Sequence, residues 1–363
     1  MESWNPYFHQ PKPIDELINN ALIVVDTNVL LSAYQWREVT VNEMIKTLRG
    51  ISDEDRLRIP LQVIKEFSSN RPKELIQRIN DIETLISGLQ PHKPLNQKVP
   101  MLEGENVFEE ASRLQGEYNE VLKEYRNELT NLRDSIKDLF QKDLYLENLK
   151  EIIEKSFYSP GASESMEELK KKAEKRFKEK IPPGYKDDPK ESNSFGDYII
   201  WDSILKLKSN VIFISGDKKQ DWVYRDTKKN SITARRELVE EFFIESGGKD
   251  FAYLSPKEFI SLFNPNVTDE IKEDLSTSIS KESNYDVLFY YKLADSKYNY
   301  HYAFERLIKE NKISGYIVTE SPIDIQGIEV IMTGLKEDAE EIAAHLYSLS
   351  QGNLITDRII DIN

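Results

Sequence analysis

The stretch IVVDTNVLLSAY, residues 23–34, decides the fold because it joins a short apolar run to the beginning of a helix. The apolar residues 22–25 predict a buried strand, and the apolar pattern resumes at residues 29–31 with helical spacing. Asp26 lies between the two. Ligands of an open parallel sheet gather at the carboxyl ends of its strands, which is where Asp26 would lie. The alternative role for Asp26 is that of an N-cap, which satisfies amides of the helix.

A second acid at the end of a strand favours a ligand-binding role for Asp26 over a role as a helix N-cap. Residues 211–214, VIFI, form another short apolar run, and Ser215, Gly216 and Asp217 lead out of it. Because ligands gather where parallel strands end, Asp26 and Asp217 could face a shared cleft.

Two further acids are predicted to lie on helices. Glu66 belongs to a helix that begins after Pro60, and Asp197 opens another helix in FGDYIIWDSIL, residues 195–205. The alternative for Asp197 is a charge that complements the positive end of the helix dipole.

The four acidic segments resemble the PIN domain, a doubly wound α/β nuclease fold whose acids bind divalent metal. The closer likeness is to a PIN-like subgroup with a long helical insertion, in which the third acid follows a segment like IPPGYKDDPK, residues 181–190. The resemblance covers roughly residues 20–262. Matched to the family's motifs are Asp26 with Thr27 and Asn28, then Glu66, then Asp197, then Ser215 with Asp217, with Asp221 as an auxiliary acid.

The resemblance implies a metal-dependent endonuclease that hydrolyses phosphodiester bonds, with RNA preferred over DNA and with a toxin or defence effector as its setting. The implied catalytic residues and metal ligands are Asp26, Glu66, Asp197 and Asp217, with Asp221 as a further ligand and Thr27, Asn28 and Ser215 in support. Carboxylates suit Mg²⁺ or Mn²⁺, because hard cations prefer oxygen ligands. The alternatives are a non-catalytic scaffold built on a PIN-like core and a structure-specific DNA nuclease.

The sequence lacks the residues that other phosphate-cleaving or metal-binding chemistries require. The chain contains no cysteine, and its four histidines lie outside the acidic segments, which argues against cysteine-ligated zinc and histidine-based ribonuclease chemistry. A haloacid-dehalogenase phosphatase would carry a second Asp where Asn28 stands, and no phosphate-binding GxxxxGK[ST] run occurs.

The chain is acidic as a whole, but one segment is rich in basic residues. The formal net charge is −15, which argues against a surface that coats nucleic acid. Residues 169–180, LKKKAEKRFKEK, carry a local excess of basic residues, either to attract phosphate or as an ordinary solvated helix face. Tyr185, Lys186, Lys218 and Lys219 are candidate substrate contacts, and a packed turn tyrosine is the alternative for Tyr185.

A helical hairpin is predicted within the first domain, in an insertion of about residues 72–180. Residues 75, 79, 82, 86 and 89 form one apolar series, and a second series comprises Tyr118, Val121, Tyr125, Leu129, Leu132, Ile136 and Leu139. The two helices would pair in antiparallel fashion as an arch over nucleic acid or as an arm for a second copy or another protein. We favour the arm, because an exposed apolar row needs a cover.

The remaining boundaries follow from composition and pattern. We predict an N-terminal extension over residues 1–20, a PIN-like domain over 21–263, a linker over 264–283 and a ferredoxin-like domain over 284–363, where the pattern reads βαββαβ. The last domain has a net charge of −6 from seven Lys/Arg and thirteen Asp/Glu. That balance favours a protein-interaction or regulatory role over RNA binding. The tyrosines of this domain could form a platform for stacking bases, but the strand preference of tyrosine favours packing at the core edge.

The cellular location is predicted from absences in the sequence. No stretch approaches a membrane-spanning length, the N-terminus lacks a secretion signal, and cysteine is absent. We expect a soluble cytoplasmic protein with no membrane partner.

Overall fold

Short apolar strands form the centre of the first of two compact units, which cover residues 1–279 and 280–363. The coordinates come from a computed structural model. The structure describes residues 5–160, 165–185, 195–216, 221–226, 231–277, 284–294, 299–309, 313–320, 327–335 and 339–361.

Five of the described strands of the first unit make one parallel sheet, in the order β3-β2-β1-β4-β7, and two make an antiparallel pair, β5-β6. The strands are β1 Leu22–Val25, β2 Leu57–Pro60, β3 Phe157–Tyr158, β4 Val211–Ile214, β5 Val223–Arg225, β6 Ser231–Ala234 and β7 Phe251–Leu254. Their apolar runs are short and continuous because both faces of β1 and β4 are buried.

The described helices of this unit cover the two faces of the sheet, and one pair extends beyond it. They are α1 Asn5–Phe8, α2 Ile14–Leu17, α3 Thr27–Leu31, α4 Glu38–Asp53, α5 Leu61–Gly88, α6 Asn106–Asp138, α7 Leu144–Ser156, α8 Met166–Lys178, α9 Gly196–Leu205, α10 Arg236–Ser246, α11 Pro256–Phe263 and α12 Asp269–Thr277. Short 3₁₀ turns occupy Ser32–Tyr34, Leu95–Gln97 and Pro100–Leu102. The predicted α/β architecture is confirmed.

The order of the sheet reverses between β1 and β4. Strands β2 and β3 extend it on one side of β1, and the chain then crosses back to place β4 on the other side. In the register of the pair, Leu22 lies opposite Val211 and Val25 opposite Ile214, so both strands end at the same level. Asp26 and Ser215, the residues that follow, therefore emerge side by side at the switch point where open α/β sheets bind ligands.

The predicted hairpin is present, with α5 packed against α6. Helix α5 begins at Leu61 and continues through Pro72, so Glu66 and the hairpin share one helix. On α6, Leu122 and Leu129 are buried, whereas four residues of the predicted contact series are exposed, namely Tyr118, Val121, Tyr125 and Leu132. The predicted series is therefore wrong for those four residues. Helix α6 carries two adjacent apolar rows, and periodicity does not tell which one faces α5.

A buried ion pair fixes the base of the hairpin to the core. Arg71 of α5 contacts the Asp143 carboxylate at 2.7 Å, and Asp143 also caps α7 by accepting a hydrogen bond from the Leu146 amide at 3.1 Å. The Tyr34 hydroxyl donates to Asp143 at 2.7 Å and accepts from Arg71 at 2.6 Å. Burial, followed by the hydrogen bond to the Asp143 carboxylate, raises the pKa of Tyr34 above its ordinary value.

The stretch expected to be a linker contains the helix α12. Val267, Ile271 and Leu275 belong to the hydrophobic core of the first unit. At the surface, Arg37 contacts the Glu270 carboxylate at 2.7 Å. Residues 267–275 are thus part of the first unit.

The second unit is built from β8 Asn284–Leu293, α13 His301–Lys309, β9 Ile313–Glu320, β10 Gly327–Leu335, α14 Ala339–Leu349 and β11 Leu354–Asp361. The sheet is antiparallel with the order β11-β8-β10-β9, which makes the predicted ferredoxin-like βαββαβ sandwich. Tyr291 is buried beside Phe289 and Phe304, as expected for core packing, whereas Tyr302 is exposed. Across the described parts of both units, no helix has the length and apolarity needed to cross a membrane.

Candidate active site

Asp26 is held by the beginning of the helix that it caps. Its backbone is extended, and its Oδ1 accepts a hydrogen bond from the Thr27 amide at 2.6 Å. The residue exposes 5% of its surface, so these contacts form away from bulk water. The N-cap interpretation is therefore right for Oδ1, and Oδ2 has other partners.

Ser215 and Asn28 hold the second oxygen of Asp26. The Ser215 hydroxyl and the Asn28 amide both donate to Asp26 Oδ2 at 2.6 Å. The Asn28 amide also lies 3.0 Å from Ser215 Oγ, and its own Oδ1 accepts from the Gly216 amide at 2.9 Å. The ends of β1 and β4 are thus joined by side chains as well as by the strand ladder. This network fixes the carboxylate plane of Asp26.

Glu66 reaches the same network from α5. The Thr27 hydroxyl donates to Glu66 Oε2 at 2.8 Å, and the Gln62 amide donates to Oε1 at 2.8 Å. Gln62 and Glu66 are four residues apart on α5, so one helical face supplies the acid and its support. Thr27 therefore connects Asp26, through its amide, with Glu66, through its hydroxyl.

Asp197 stands in the first turn of α9 and belongs to a second group. The Trp222 indole donates to Asp197 Oδ2 at 3.3 Å. Trp222 is fully buried, with its ring centroid 4.5 Å from that of Phe213 on β4. Helix α9 also packs against α5, the helix of Glu66. Asp197 is therefore oriented by an indole that the sheet itself supports.

Asp221 is fully buried beside this second group. Its Oδ2 accepts a hydrogen bond from the Gly184 amide at 2.8 Å, and its Oδ1 has no hydrogen-bond partner among the described residues. Gly184 has φ +87°, and a Cβ there would lie 3.3 Å from the Asp197 Cβ and 3.1 Å from Phe177. Only glycine meets both demands without strain. The turn at Gly184 thus bridges Asp197 and Asp221.

The remaining predicted residues cannot be located in the same way. Asp217, Lys218, Lys219 and Lys186 lie outside the described residues. Among the residues that are described, no three acidic or histidine side chains come close enough to hold a metal ion together. The described contacts join Asp26 with Glu66 through Thr27, and Asp197 with Asp221 through Gly184, as two separate pairs.

Tyr185 lies near a stacked pair on the β5–β6 ribbon. The Arg235 guanidinium carbon lies 4.8 Å from the centroid of the Tyr224 ring. The hydrogen bond to Glu237 raises the pKa of Arg235 above its ordinary value, and the nearby Tyr185 adds to that effect. Tyr224 is partly exposed. Tyr224 and Arg235 therefore form a partly exposed stack, and Tyr185 directly follows Gly184 in the chain.

Part of the basic run on α8 has a structural role. Arg176 forms an ion pair with Glu241 and donates to the Pro182 carbonyl, while Glu241 accepts from the Trp201 indole at 2.8 Å. These contacts hold residues 181–185 against the core. Lys171, Lys172 and Lys175 are exposed on the same helix.

Comparison with protein families agrees with this geometry. A family model described as a PIN like domain matches residues 22–238, more than half of the chain. The chain belongs to the PIN-like domain family. No curated protein and no solved structure matched it.

Membership of the PIN-like family puts the chain in a nuclease superfamily, which at the coarsest level means a hydrolase. The matched range includes β1, α5, α9 and β4, the four elements that carry the acidic segments. It also includes the whole hairpin. The predicted resemblance to PIN-like nucleases is confirmed.

PIN domains typically use divalent metals, and the donors of this PIN-like site suit such an ion. The described acids offer carboxylate oxygens only, with no sulfur or imidazole ligand among them, which matches the preference of Mg²⁺ and Mn²⁺. The orphan Oδ1 of the buried Asp221 is an oxygen that a cation or water would satisfy.

Several residues of the PIN-like site escaped the sequence analysis. Gln62 supports Glu66 at a spacing of four, a pattern that would have pointed to it. Gly184 follows two prolines, which indicated a turn but not its contact with two acids. Tyr224 and Arg235 belong to no motif, and their stacking depends on strand pairing across β5 and β6.

Proposed function

We propose that this protein is a metal-dependent endonuclease that hydrolyses phosphodiester bonds. The observation that carries the proposal is the Asp26 carboxylate at the sheet's switch point, held at 2.6 Å by both Ser215 and Asn28 and linked through Thr27 to Glu66. Hydrogen-bond donors on both oxygens of a carboxylate fix it in position. A structural cap needs only one oxygen.

Asp26, Glu66 and Asp197, with Asp217 and Asp221 as the sequence predicts, would hold Mg²⁺ or Mn²⁺. When bound, such ions supply charge neutralisation at the phosphate and a water activated for attack. The chain's own contribution is orientation. Ser215 and Asn28 fix Asp26, Gln62 and Thr27 fix Glu66, and the Trp222 indole fixes Asp197.

For the substrate we propose single-stranded RNA ahead of DNA. The preference for RNA rests on the family resemblance. The preference for a single strand is supported by Tyr185, Tyr224 and Arg235, which offer rings and a guanidinium plane on which unpaired bases stack. Exposed lysines of α8, together with Lys186, Lys218 and Lys219, are proposed phosphate contacts.

A toxin or defence effector is the biological setting we propose on the same resemblance, and the second unit is proposed as an interaction or regulatory module. The alternative function is a scaffold that no longer cuts. The buried Asp26 and the half-buried Glu66, each held by hydrogen bonds from neighbouring side chains, favour the enzyme, because a scaffold has no need for acids at the switch point.

The test compares the wild type with Asp26→Asn and Asp217→Asn on labelled single-stranded RNA, single-stranded DNA and branched DNA, with Mn²⁺ and with EDTA. Cutting of single-stranded RNA that requires metal and disappears in both variants is the expected result. Ser276→Ala, an exposed helix position on α12, serves as the control for handling and folding. Preferential cutting of branched DNA would support the structure-specific alternative, and activity that survives both substitutions would overturn the proposed site.

A further inference from the structure

Helix α6 has a second apolar face that points away from α5. Leu122 and Leu129 fill the contact with α5, whereas six other apolar residues are between 47 and 72% exposed. These six, which we call the outer row, are Val107, Leu114, Tyr118, Val121, Tyr125 and Leu132. Tyr118 stacks on His92 of the hairpin connection, with ring centroids 5.1 Å apart, and remains about half exposed.

The spacing of the outer row is that of a coiled coil. Its members follow one another at intervals of seven, four, three, four and seven residues, so they occupy the a and d positions of successive heptads. Each interval of seven contains one further heptad position that is not part of the outer row. These two positions are Ala111 and Glu128. A row of this length is a surface that monomeric proteins rarely leave exposed to water. The heptad pattern predicts another helix as its cover.

We propose that the outer row is the dimer interface of this protein, in which α6 pairs with α6 of a second copy in antiparallel orientation. One register pairs Tyr118 with Val121 of the second copy, Leu114 with Tyr125, and Val107 with Leu132, each twice by symmetry. Every member of the outer row then meets an apolar side chain, and Ala111 meets Glu128. This self-complementarity favours a second copy over an unrelated helix.

Charge next to the row opposes this register mildly and provides a test of it. Glu117 and Glu124 flank the row, and the same register brings Glu117 close to Glu124 of the second copy. Arg113 already forms ion pairs with Glu110 and Glu117 on its own helix, which reduces the repulsion. Salt screens exposed like charges and leaves apolar burial intact. The dimer is therefore expected to tighten as salt rises, whereas a basic partner helix would be released.

The first experiment is sedimentation equilibrium of the full chain, with Val121→Glu and Tyr118→Glu as variants. The wild type is expected at twice its 42.3 kDa mass and both variants at the single mass. Lys123→Gln is the matched control, because it lowers the net charge by the same amount as Val121→Glu on the opposite face of α6 and is expected to remain dimeric. A cooperative melting transition in each variant shows that it remains folded, which is expected because the outer row is largely exposed.

The second experiment tests the register. Glu124→Lys replaces two like-charge contacts by two opposite-charge contacts only in the antiparallel register, so its dimer is expected to dissociate less than the wild type at low salt. A wild type that is monomeric at tens of micromolar, or a Val121→Glu variant that remains dimeric, overturns the interface. A Glu124→Lys dimer that is no tighter overturns the register. Neither readout involves nuclease activity, so the outcome is independent of the proposed function.

Discussion

The indole of Trp222 donates a hydrogen bond to the Asp197 carboxylate at 3.3 Å, which ties an acid on α9 to a ring packed on β4. Trp222→Phe keeps an apolar ring and removes the donor. We expect kcat to fall about tenfold with KM little changed, since a lost hydrogen bond of about 1.4 kcal/mol in the transition state has that effect.

Steady-state kinetics with Mn²⁺ check this. The control is Trp36→Phe, which replaces another buried tryptophan of the same unit by the same smaller ring. Equal losses of kcat in the two variants, after correction for the folded fraction, would mean that Trp222 acts by packing alone.

Ser215→Ala removes one of the two side-chain donors to Asp26 Oδ2. Hydrogen bonds to charged groups contribute about 1.5–3 kcal/mol, so we expect cleavage to slow by roughly tenfold to a hundredfold. Single-turnover cleavage of labelled RNA measures the effect. Ser215→Thr, which keeps the hydroxyl, should retain more activity than Ser215→Ala, and the reverse order would contradict the orienting role.

Metal binding should be visible without any substrate. Mn²⁺ bound to the native state raises the melting temperature, by an amount that corresponds to about 2.7 kcal/mol at a concentration of 100 Kd. Asp26→Asn and Glu66→Gln should abolish the shift, and EDTA should reverse it. Glu74→Gln is the control, because Glu74 lies on the same helix and bonds to Gln35 instead. An equal shift in all variants would place the ion elsewhere.

Breaking the ion pair at the hairpin base should be costly. Arg71→Met leaves the buried Asp143 carboxylate without its guanidinium, and removing one partner of a buried pair typically costs about 3–5 kcal/mol. Urea unfolding measures this loss. Arg78→Met, two turns further along α5, breaks a half-exposed pair with Asp81 and should cost about 0–1 kcal/mol. Similar unfolding midpoints for the two variants would argue against a stabilising role of the Arg71–Asp143 ion pair.

The raised pKa of Tyr34 predicts alkaline sensitivity. Its ordinary value is 10.0, and the folded state keeps the phenol protonated to higher pH, so the unfolded state loses the proton first. The corresponding stability is present below about pH 10 and is lost as pH rises towards the folded pKa. The melting temperature of the wild type should therefore fall towards that of Tyr34→Phe as the pH rises above about 10, with the slope expected when unfolding releases about one proton. Tyr7→Phe, at an exposed tyrosine, should follow the wild type.

The sequence predicted those features that depend on local pattern. Continuous apolar runs identified β1 and β4, and the residues after them, Asp26 and Ser215, proved to be neighbours because parallel strands end at one edge. The order of strand and helix patterns, βαββαβ, likewise predicted the ferredoxin-like topology of the second unit. In both places a periodic signal and a topological rule pointed the same way.

Features that depend on which surfaces meet were less predictable. The sequence could not tell which apolar row of α6 faces α5, because both rows have helical spacing. It also treated residues 264–283 as a linker, since polar residues there outnumber the three apolar ones that reach the core, one before α12 and two within it. The Trp222 donor and the Gly184 bridge join segments distant in sequence, so no local window contains them.

Helix α5 carries Glu66 in its second turn and the hairpin contact beyond Leu75, with no interruption before Gly88. The direction in which the helical hairpin faces, measured around the axis of α5, is therefore fixed relative to Glu66. One residue inserted between Glu66 and Leu75 would rotate the arm by about 100° around the helix axis. Seven inserted residues would return it to within about 20°. The reach of the arm can thus be changed with little rotation only by insertions close to a whole number of turns, such as about seven or about eleven residues.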